Sequence, residues 1–310
     1  MVEKTTEFDV IIAGGGPAGL SALLWCADLG LNAILLEKES EFGGQLLLTH
    51  NAIQNYLGVE TANGRELRDI FLRQIENTKL KRLTGAEIIE ADLAQKTLTL
   101  ANGAKYSGRT IIIATGVRRR KLMVPGEDEF RGHGILESGA KDKNEVAGKT
   151  VVIVGGGDAA LENALILNET ARKIFVVHRR SEFAARKEFL LTARKSENIE
   201  FCSDTQITKI LGSDMVEGVE LKHLTSGSLS RLETDAVLIR IGVEPNTEIF
   251  RGQIELNPAG YITIDATCAT SLHRVYAVGD VANHTAPTIS TAAGHGSSAV
   301  KAIFSEINSQ

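Results

Sequence analysis

The chain has 310 residues, 43% of them hydrophobic and 24% charged, with a net charge of −5. That length exceeds one ordinary hydrophobic core and predicts two domains, and the mildly acidic balance gives no electrostatic footprint for nucleic acid or an anionic membrane surface. No apolar run approaches the roughly 20 residues a membrane helix needs, and three scattered cysteines make no disulfide framework, which fits a reducing, cytoplasmic setting.

The polar start, Met1–Phe8, leads straight into a strand and has no signal-peptide pattern. Asp9–Ala13 reads as a short apolar strand that enters Gly14-Gly15-Gly16-Pro17-Ala18-Gly19. A helix is predicted over Leu20–Leu29, then a strand over Ala33–Leu36 that ends on Glu37, 18 residues after Gly19. Strand, glycine turn, helix, strand and acid together make a dinucleotide-binding unit. The glycines allow a tight turn and a close backbone approach to a pyrophosphate, and the helix N-terminus faces it with free N–H groups and partial positive charge. A carboxylate at the end of the second strand suits a free ribose 2′-OH.

Leu80–Leu100 reads as short strands, with Asn102-Gly103 as a hairpin turn. A second unit follows. The strand Thr150–Val154 enters Gly155-Gly156-Gly157-Asp158-Ala159-Ala160, a helix is predicted over Leu161–Ala171, and the strand Lys173–Val177 ends on His178-Arg179-Arg180. Arginines in place of the acid suit a ribose 2′-phosphate. The economical assignment is FAD on the first unit and NADPH on the second. Glu217–Leu224 and Asp235–Ile241 read as later strands of the second domain. The predicted fold class is α/β, with two Rossmann-like dinucleotide-binding domains. The sequence offers no serine–histidine–acid set, no metal-ligand cluster and no paired carboxylates. His133, His284 and His295 lie near expected site elements and carry no assigned role.

Further segments carry a resemblance. Gly43-Gly44-Gln45-Leu46 is followed by Ile53-Gln54-Asn55-Tyr56, and Ala114-Thr115-Gly116 by Val124-Pro125-Gly126-Glu127. Val275-Tyr276-Ala277-Val278-Gly279-Asp280-Val281 precedes Ala292-Ala293-Gly294-His295-Gly296. With both glycine turns, these make nearly the whole chain resemble the pyridine-nucleotide disulfide oxidoreductase family, in its low-molecular-weight thioredoxin-reductase branch. The resemblance implies a discontinuous FAD domain, 1–117 and 244–310, with an NADPH domain, 118–243, inserted in it. It implies FAD contacts from Gly14, Gly16, Pro17, Ala18, Gly19, Glu37, Gly44, Gln45, Asn55, Ala114, Thr115, Gly116, Gly279, Asp280, Thr288, Ile289 and Ala292. NADPH contacts would come from Gly155, Gly157, Asp158, Ala159, Ala160, His178, Arg179, Arg180 and Arg186. A homodimer is also implied, and the paired crossings near Gly116–Pro125 and Ile241–Asn246 suit a swivel.

The departures from that pattern bear on function. Where the branch carries a redox-active CxxC ahead of the second glycine turn, this chain has Ser138 and Lys141. Cys26, Cys202 and Cys268 are read as packed thiols without a redox role. Pro287-Thr288 stands where Arg-Gln is common, and Ala184 replaces a further arginine of the phosphate clamp, with Arg186 two residues on. Three readings follow. The first is an NADPH:acceptor oxidoreductase whose flavin reduces an external partner such as ferredoxin or flavodoxin, although the C-terminal extension of the CxxC-less ferredoxin reductases is missing. The second is a reductase of a quinone, oxygen or a small disulfide. The third is a non-catalytic NADP(H)-binding redox sensor.

Overall fold

The computed structural model describes residues 7–309, and the polar segment before them lies outside the described residues. The chain divides into two compact units. One runs to Arg118 and resumes at Glu244; the other is Arg119–Val243.

The first unit is built on a seven-stranded sheet. Glu7–Ala13 lies between Ala33–Leu36 and Lys105–Ile113, parallel to both, with Ile12 opposite Leu35 and Ile112. Lys81–Leu83 extends one edge, and Val275–Ala277 pairs in parallel with Lys105–Ile113. Val10–Ala13, Ala33–Leu36, Thr110–Ile113 and Val275–Ala277 are nearly continuous apolar runs, the expected pattern for a covered parallel sheet, whereas the edge strand Lys81–Leu83 is polar and partly exposed. The first half of Lys105–Ile113 instead pairs antiparallel with Thr97–Leu100, which pairs with Ile88–Asp92. The predicted hairpin turn is there: Gly103 has a φ of 83°, and Leu100 N donates to Ala104 O at 2.9 Å.

Two helices cover one face. Leu20, Leu23 and Cys26 of Pro17–Asp28 share a core with Ala299, Val300 and Ile303 of Ile289–Asn308. Phe250, Leu93 and Leu98 fill the other face. The first helix begins three residues ahead of the predicted Leu20, because Gly16 takes the N-cap and Pro17, whose fixed φ suits a first helical turn, takes N1. The helix Gly64–Ile75 went unread in the sequence. Asn63 caps it by accepting from Glu66 N at 3.0 Å, while Glu66 returns a bond to Ala62 N at 2.7 Å.

The second unit carries a five-stranded parallel sheet in the order Ile199–Cys202, Lys173–Val177, Thr150–Val154, Ala236–Ile239, Ile135–Leu136. A three-stranded antiparallel sheet, Thr205–Gly212, Val216–His223 and Leu229–Glu233, packs its inner residues on the parallel sheet. The helix after the second glycine turn spans Asp158–Leu167, earlier at both ends than predicted. It stops there because Thr170 bonds Lys143 O through its hydroxyl, at 2.7 Å, and accepts Gly148 N at its carbonyl, at 2.9 Å.

The two connecting segments, Val117–Arg119 and Val243–Pro245, pair as a two-stranded ribbon. Arg118, which the sequence reading put at the start of the inserted domain, falls in the first unit. Its guanidinium ion-pairs with Glu244 at 2.7 Å and Glu248 at 2.5 Å. Among the described residues, no helix is long and apolar enough to cross a membrane, and no cluster of histidine, cysteine or carboxylate side chains could hold a metal.

Candidate functional site

The first glycine turn is closed by its own tightness. A Cβ on Gly19 would lie 1.9 Å from Gly14 O, and one on Gly14, where φ is 113°, would lie 2.3 Å from Ala114 O. Gly16 has no side-chain cap, so the first N–H groups of the Pro17–Asp28 helix stay uncapped by any side chain. Ala18 packs against Gly279, where a Cβ would meet the Ala18 methyl at 2.8 Å. Glu37 is buried at the end of its strand, and its two oxygens accept from Gly15 N at 2.6 Å and Glu39 N at 2.9 Å. A carboxylate offers about four lone-pair positions, so these two bonds orient the group and leave acceptor capacity for a diol.

The remaining residues assigned to FAD come from five further segments. Gly44 opens a short helical turn, Gly44–Leu48, with its backbone against Gly16; Gln45 donates to Val117 O at 2.8 Å. Asn55 sits in an exposed turn between the bridged residues Ile53 and Thr61. Ala114-Thr115-Gly116 is held from a distance: Thr115 Oγ1 donates to Asn246 O at 2.8 Å, and Asn246 Nδ2 to Thr115 O at 2.7 Å. Sequence reasoning missed Asn246. The only signal was its place at the second crossing.

Asp280 lies in the turn Gly279–Val281, half-buried, with no hydrogen bond to its carboxylate among the described residues. Burial raises its carboxyl above the ordinary aspartate value. Thr288 is the N-cap of Ile289–Asn308, accepting from Thr291 N at 3.0 Å, and Ala292 is buried in the first turn. An aspartate wanting donors, a collision-tight glycine turn and an uncapped helix N-terminus fit a flavin dinucleotide.

The second turn repeats the arrangement. Gly155, with φ of 143°, closes on Arg240, whose carbonyl oxygen would lie 2.1 Å from an added Cβ. Gly157 is the N-cap and meets nothing within 4 Å, so its outer side is open. Ala160 is buried under the turn, while Asp158 and Ala159 are exposed. His178 ends the strand Lys173–Val177, with its ring 5.0 Å from that of Phe183 and its Nε2 buried without a partner. Burial, aided by the charges of Arg180 and Arg179, holds its imidazole below the usual value against a raising backbone hydrogen bond at Glu182. Arg179 and Arg180 are exposed, and neither side chain has an ion pair among the described residues. Arg186 differs: its backbone N and Nε both bind the Asp158 carboxylate, at 2.7 and 3.0 Å. Its guanidinium also lies over the Phe189 ring at 4.2 Å. The orphaned Nε2, the open N-cap and two unpaired arginines fit a 2′-phosphorylated nucleotide.

The segment read as standing where the resembled branch has its dithiol carries a hydrogen-bond lock. Ser138 caps the short helix Gly139–Asp142 by accepting from Lys141 N at 3.1 Å. Asp142, buried, accepts from Glu137 N at 2.6 Å and Ser138 N at 2.9 Å, and Asn163 accepts from Gly139 N at 2.6 Å. Lys141 reaches out to Glu137 at 2.7 Å. The three cysteines are free, with Cys26 and Cys268 buried. Burial pushes the Cys26 thiol up to about 12 and Cys268 to about 11, and raises Cys202 as well. His295 accepts a long hydrogen bond from Gly279 N at 3.4 Å; His133 and His284 are exposed.

The sequence model of the family described as pyridine nucleotide-disulphide oxidoreductase matches residues 8–296. A thioredoxin reductase of Mycolicibacterium smegmatis is 36% identical over 302 residues, covering 96% of each chain. A 34.2 kDa protein in a rubredoxin operon of Clostridium pasteurianum is 30% identical over 307 residues, covering 98% of each. Among solved structures, a thioredoxin reductase of Lactococcus lactis superposes with a TM-score of 0.85 at 29% identity, covering 98% of this chain and all of that one (100%).

Proposed function

The chain belongs to the pyridine nucleotide-disulphide oxidoreductase family, and from that premise we propose that it passes electrons from NADPH through FAD to an external acceptor without an internal disulfide. It is a thioredoxin-reductase-like, NADPH-dependent FAD oxidoreductase. In the proposed assignment the Gly14–Gly19 turn, Glu37, Ala114–Gly116 and Asp280 hold FAD, with Asp280 accepting from the ribityl hydroxyls. Gly155–Ala160 approaches the NADPH pyrophosphate, and Arg179 and Arg180 neutralise the 2′-phosphate. Bound there, the two cofactors supply the hydride chemistry. The chain's residues position them, and burial favours the neutral form of His178 and His295.

One observation carries the reading of the acceptor. Ser138 and Lys141, at the family's disulfide positions, are committed to a helix cap and an ion pair, and neither can cycle between thiol and disulfide. In this reading the electrons leave to a partner. A small electron carrier such as ferredoxin or flavodoxin is the favoured one. A cytoplasmic homodimer belongs to the same reading.

The test is anaerobic. Enzyme reduced by one equivalent of NADPH is mixed in a stopped flow with oxidised ferredoxin, flavodoxin, thioredoxin or a quinone. Rapid flavin reoxidation by ferredoxin or flavodoxin is the expected result. Reoxidation by the quinone or oxygen alone would replace it with a small-molecule reductase, and silence with every acceptor would leave a nucleotide-binding sensor.

A further inference from the structure

Three neighbouring parallel strands of the second unit end side by side. Thr150–Val154 runs into Gly155, Ala236–Ile239 into Arg240, and Ile135–Leu136 into Glu137. From Thr150–Val154 the chain goes to Lys173–Val177 on one side, and Ala236–Ile239 lies on the other. The carboxyl edge between these halves is a topological switch point, where open α/β sheets bind ligands. Arg240 occupies that point, its N–H donating to Val154 O at 2.7 Å. Its guanidinium turns to the carbonyl oxygen of Glu137, and the guanidinium of Arg119 donates to the same oxygen at 2.5 Å.

Two guanidinium groups thus converge on one neutral acceptor. Neither makes an ion pair among the described residues, and the nearby carboxylates are engaged elsewhere: Glu137 by Lys141, and Asp142 by the backbone N–H groups of Glu137 and Ser138. Burial lowers both arginines. Arg240 falls to about 10, with the charge of Arg119 adding to the burial and Asp142 opposing it; for Arg119, Glu137 and Asp142 oppose the burial. Arg240 is half-buried and Arg119 exposed, and two guanidinium groups that share one carbonyl without a direct ion pair among the described residues repel each other until an anion joins them. The planar guanidinium fork is shaped for a phosphate or carboxylate.

We propose that Arg119 and Arg240 form a binding site for an oxyanion, a phosphate or carboxylate group, at the carboxyl edge of the second sheet. The diphosphate of the nicotinamide nucleotide and an acidic group on the electron acceptor are the two sources of that chemistry. Both sources rest on the reading of the chain as an NADPH:acceptor oxidoreductase.

The probe is inorganic pyrophosphate, titrated calorimetrically into the FAD-loaded enzyme and into its Arg119→Gln and Arg240→Gln variants. Either substitution should weaken pyrophosphate binding roughly tenfold or more, as expected for loss of a charged hydrogen bond. Binding that both folded variants retain at wild-type strength overturns the proposal, and so does a wild-type enzyme that binds no pyrophosphate. Should Arg240→Gln fail to fold, Arg119→Gln and the charge-conserving Arg240→Lys decide the matter. Repeating the titration with saturating NADP⁺ assigns the source. Pyrophosphate excluded by the nucleotide places the nucleotide's own diphosphate on the pair. Pyrophosphate that still binds, and is lost in the variants, makes it a site for an acidic acceptor.

Discussion

Asp158 grips Arg186 at two points, its backbone N at 2.7 Å and its Nε at 3.0 Å. An arginine so held has most of its charge answered before any nucleotide arrives. Arg179 and Arg180 have no such partner among the described residues.

The clamp should therefore be unequal. Each charged hydrogen bond to a 2′-phosphate contributes about 1.5–3 kcal/mol. Arg179→Ala should raise the KM for NADPH about tenfold to a hundredfold and leave NADH use nearly unchanged. Arg186→Ala should have a smaller effect on that ratio. Steady-state kinetics with both cofactors checks it, and equal losses with NADPH and NADH would remove the 2′-phosphate role from Arg179.

One NADPH per FAD should complete anaerobic reduction, because no thiol pair stands ready for a second. Cys26 and Cys268, held up near 12 and 11 by burial, carry almost no thiolate at neutral pH. The native enzyme should react slowly with thiol reagents and rapidly once unfolded. Uptake of a second equivalent would reveal a hidden dithiol. The converse is also testable: Ser138→Cys with Lys141→Cys puts thiols at the N-cap and third position of a helix, and two extra thiols should titrate only after reduction.

Two glycines that look alike in sequence should fail differently. At Gly19 a methyl would meet Gly14 O at 1.9 Å, so Gly19→Ala should lower the Tm, overpacking costing about 1–3 kcal/mol, and should release FAD. Gly157 meets nothing within 4 Å. Gly157→Ala should keep the fold to within about 1 kcal/mol of cap preference and raise the KM for NADPH. Melting curves and nucleotide titrations separate the two.

Stability should decline in mild acid. Burial holds the His295 and His178 imidazoles below their ordinary value. Between the folded value and the unfolded one, about 6.5, the unfolded chain binds more protons, so stability rises with pH across that window and is lost as pH falls through it. Protonating His295 Nδ1 also removes the acceptor of the Gly279 N–H. His295→Gln should flatten the acid side of a Tm–pH profile; an unchanged profile would assign the loss to other groups.

What could be read from the sequence was local. Each glycine turn announces itself within a few tens of residues, since strand, turn, helix and the acid or arginines at the next strand end follow in order. The packing of Cys26 followed from its place in an apolar helix. What could not be read was convergence across the chain. Asn246 closes the Thr115 turn from the far side of the inserted unit, and Arg119, on the connecting ribbon, comes together with Arg240, at a strand end of the sheet, through the carbonyl of Glu137. The commitment of Arg186 to Asp158 was hidden for the same reason. The early start of both glycine-turn helices was missed because an apolar pattern marks where a helix is buried, while its cap marks where it begins.

The ribbon formed by Val117–Arg119 and Val243–Pro245 has a consequence for how such a chain is assembled. Paired strands lie about 4.8 Å apart, so the inserted unit leaves and re-enters its host through almost the same point. To the host sheet, the whole insert from Arg119 to Val243 is equivalent to a very short loop. The ends of the insert are as close as those of a hairpin loop, so its length places no demand on the host strands that carry it.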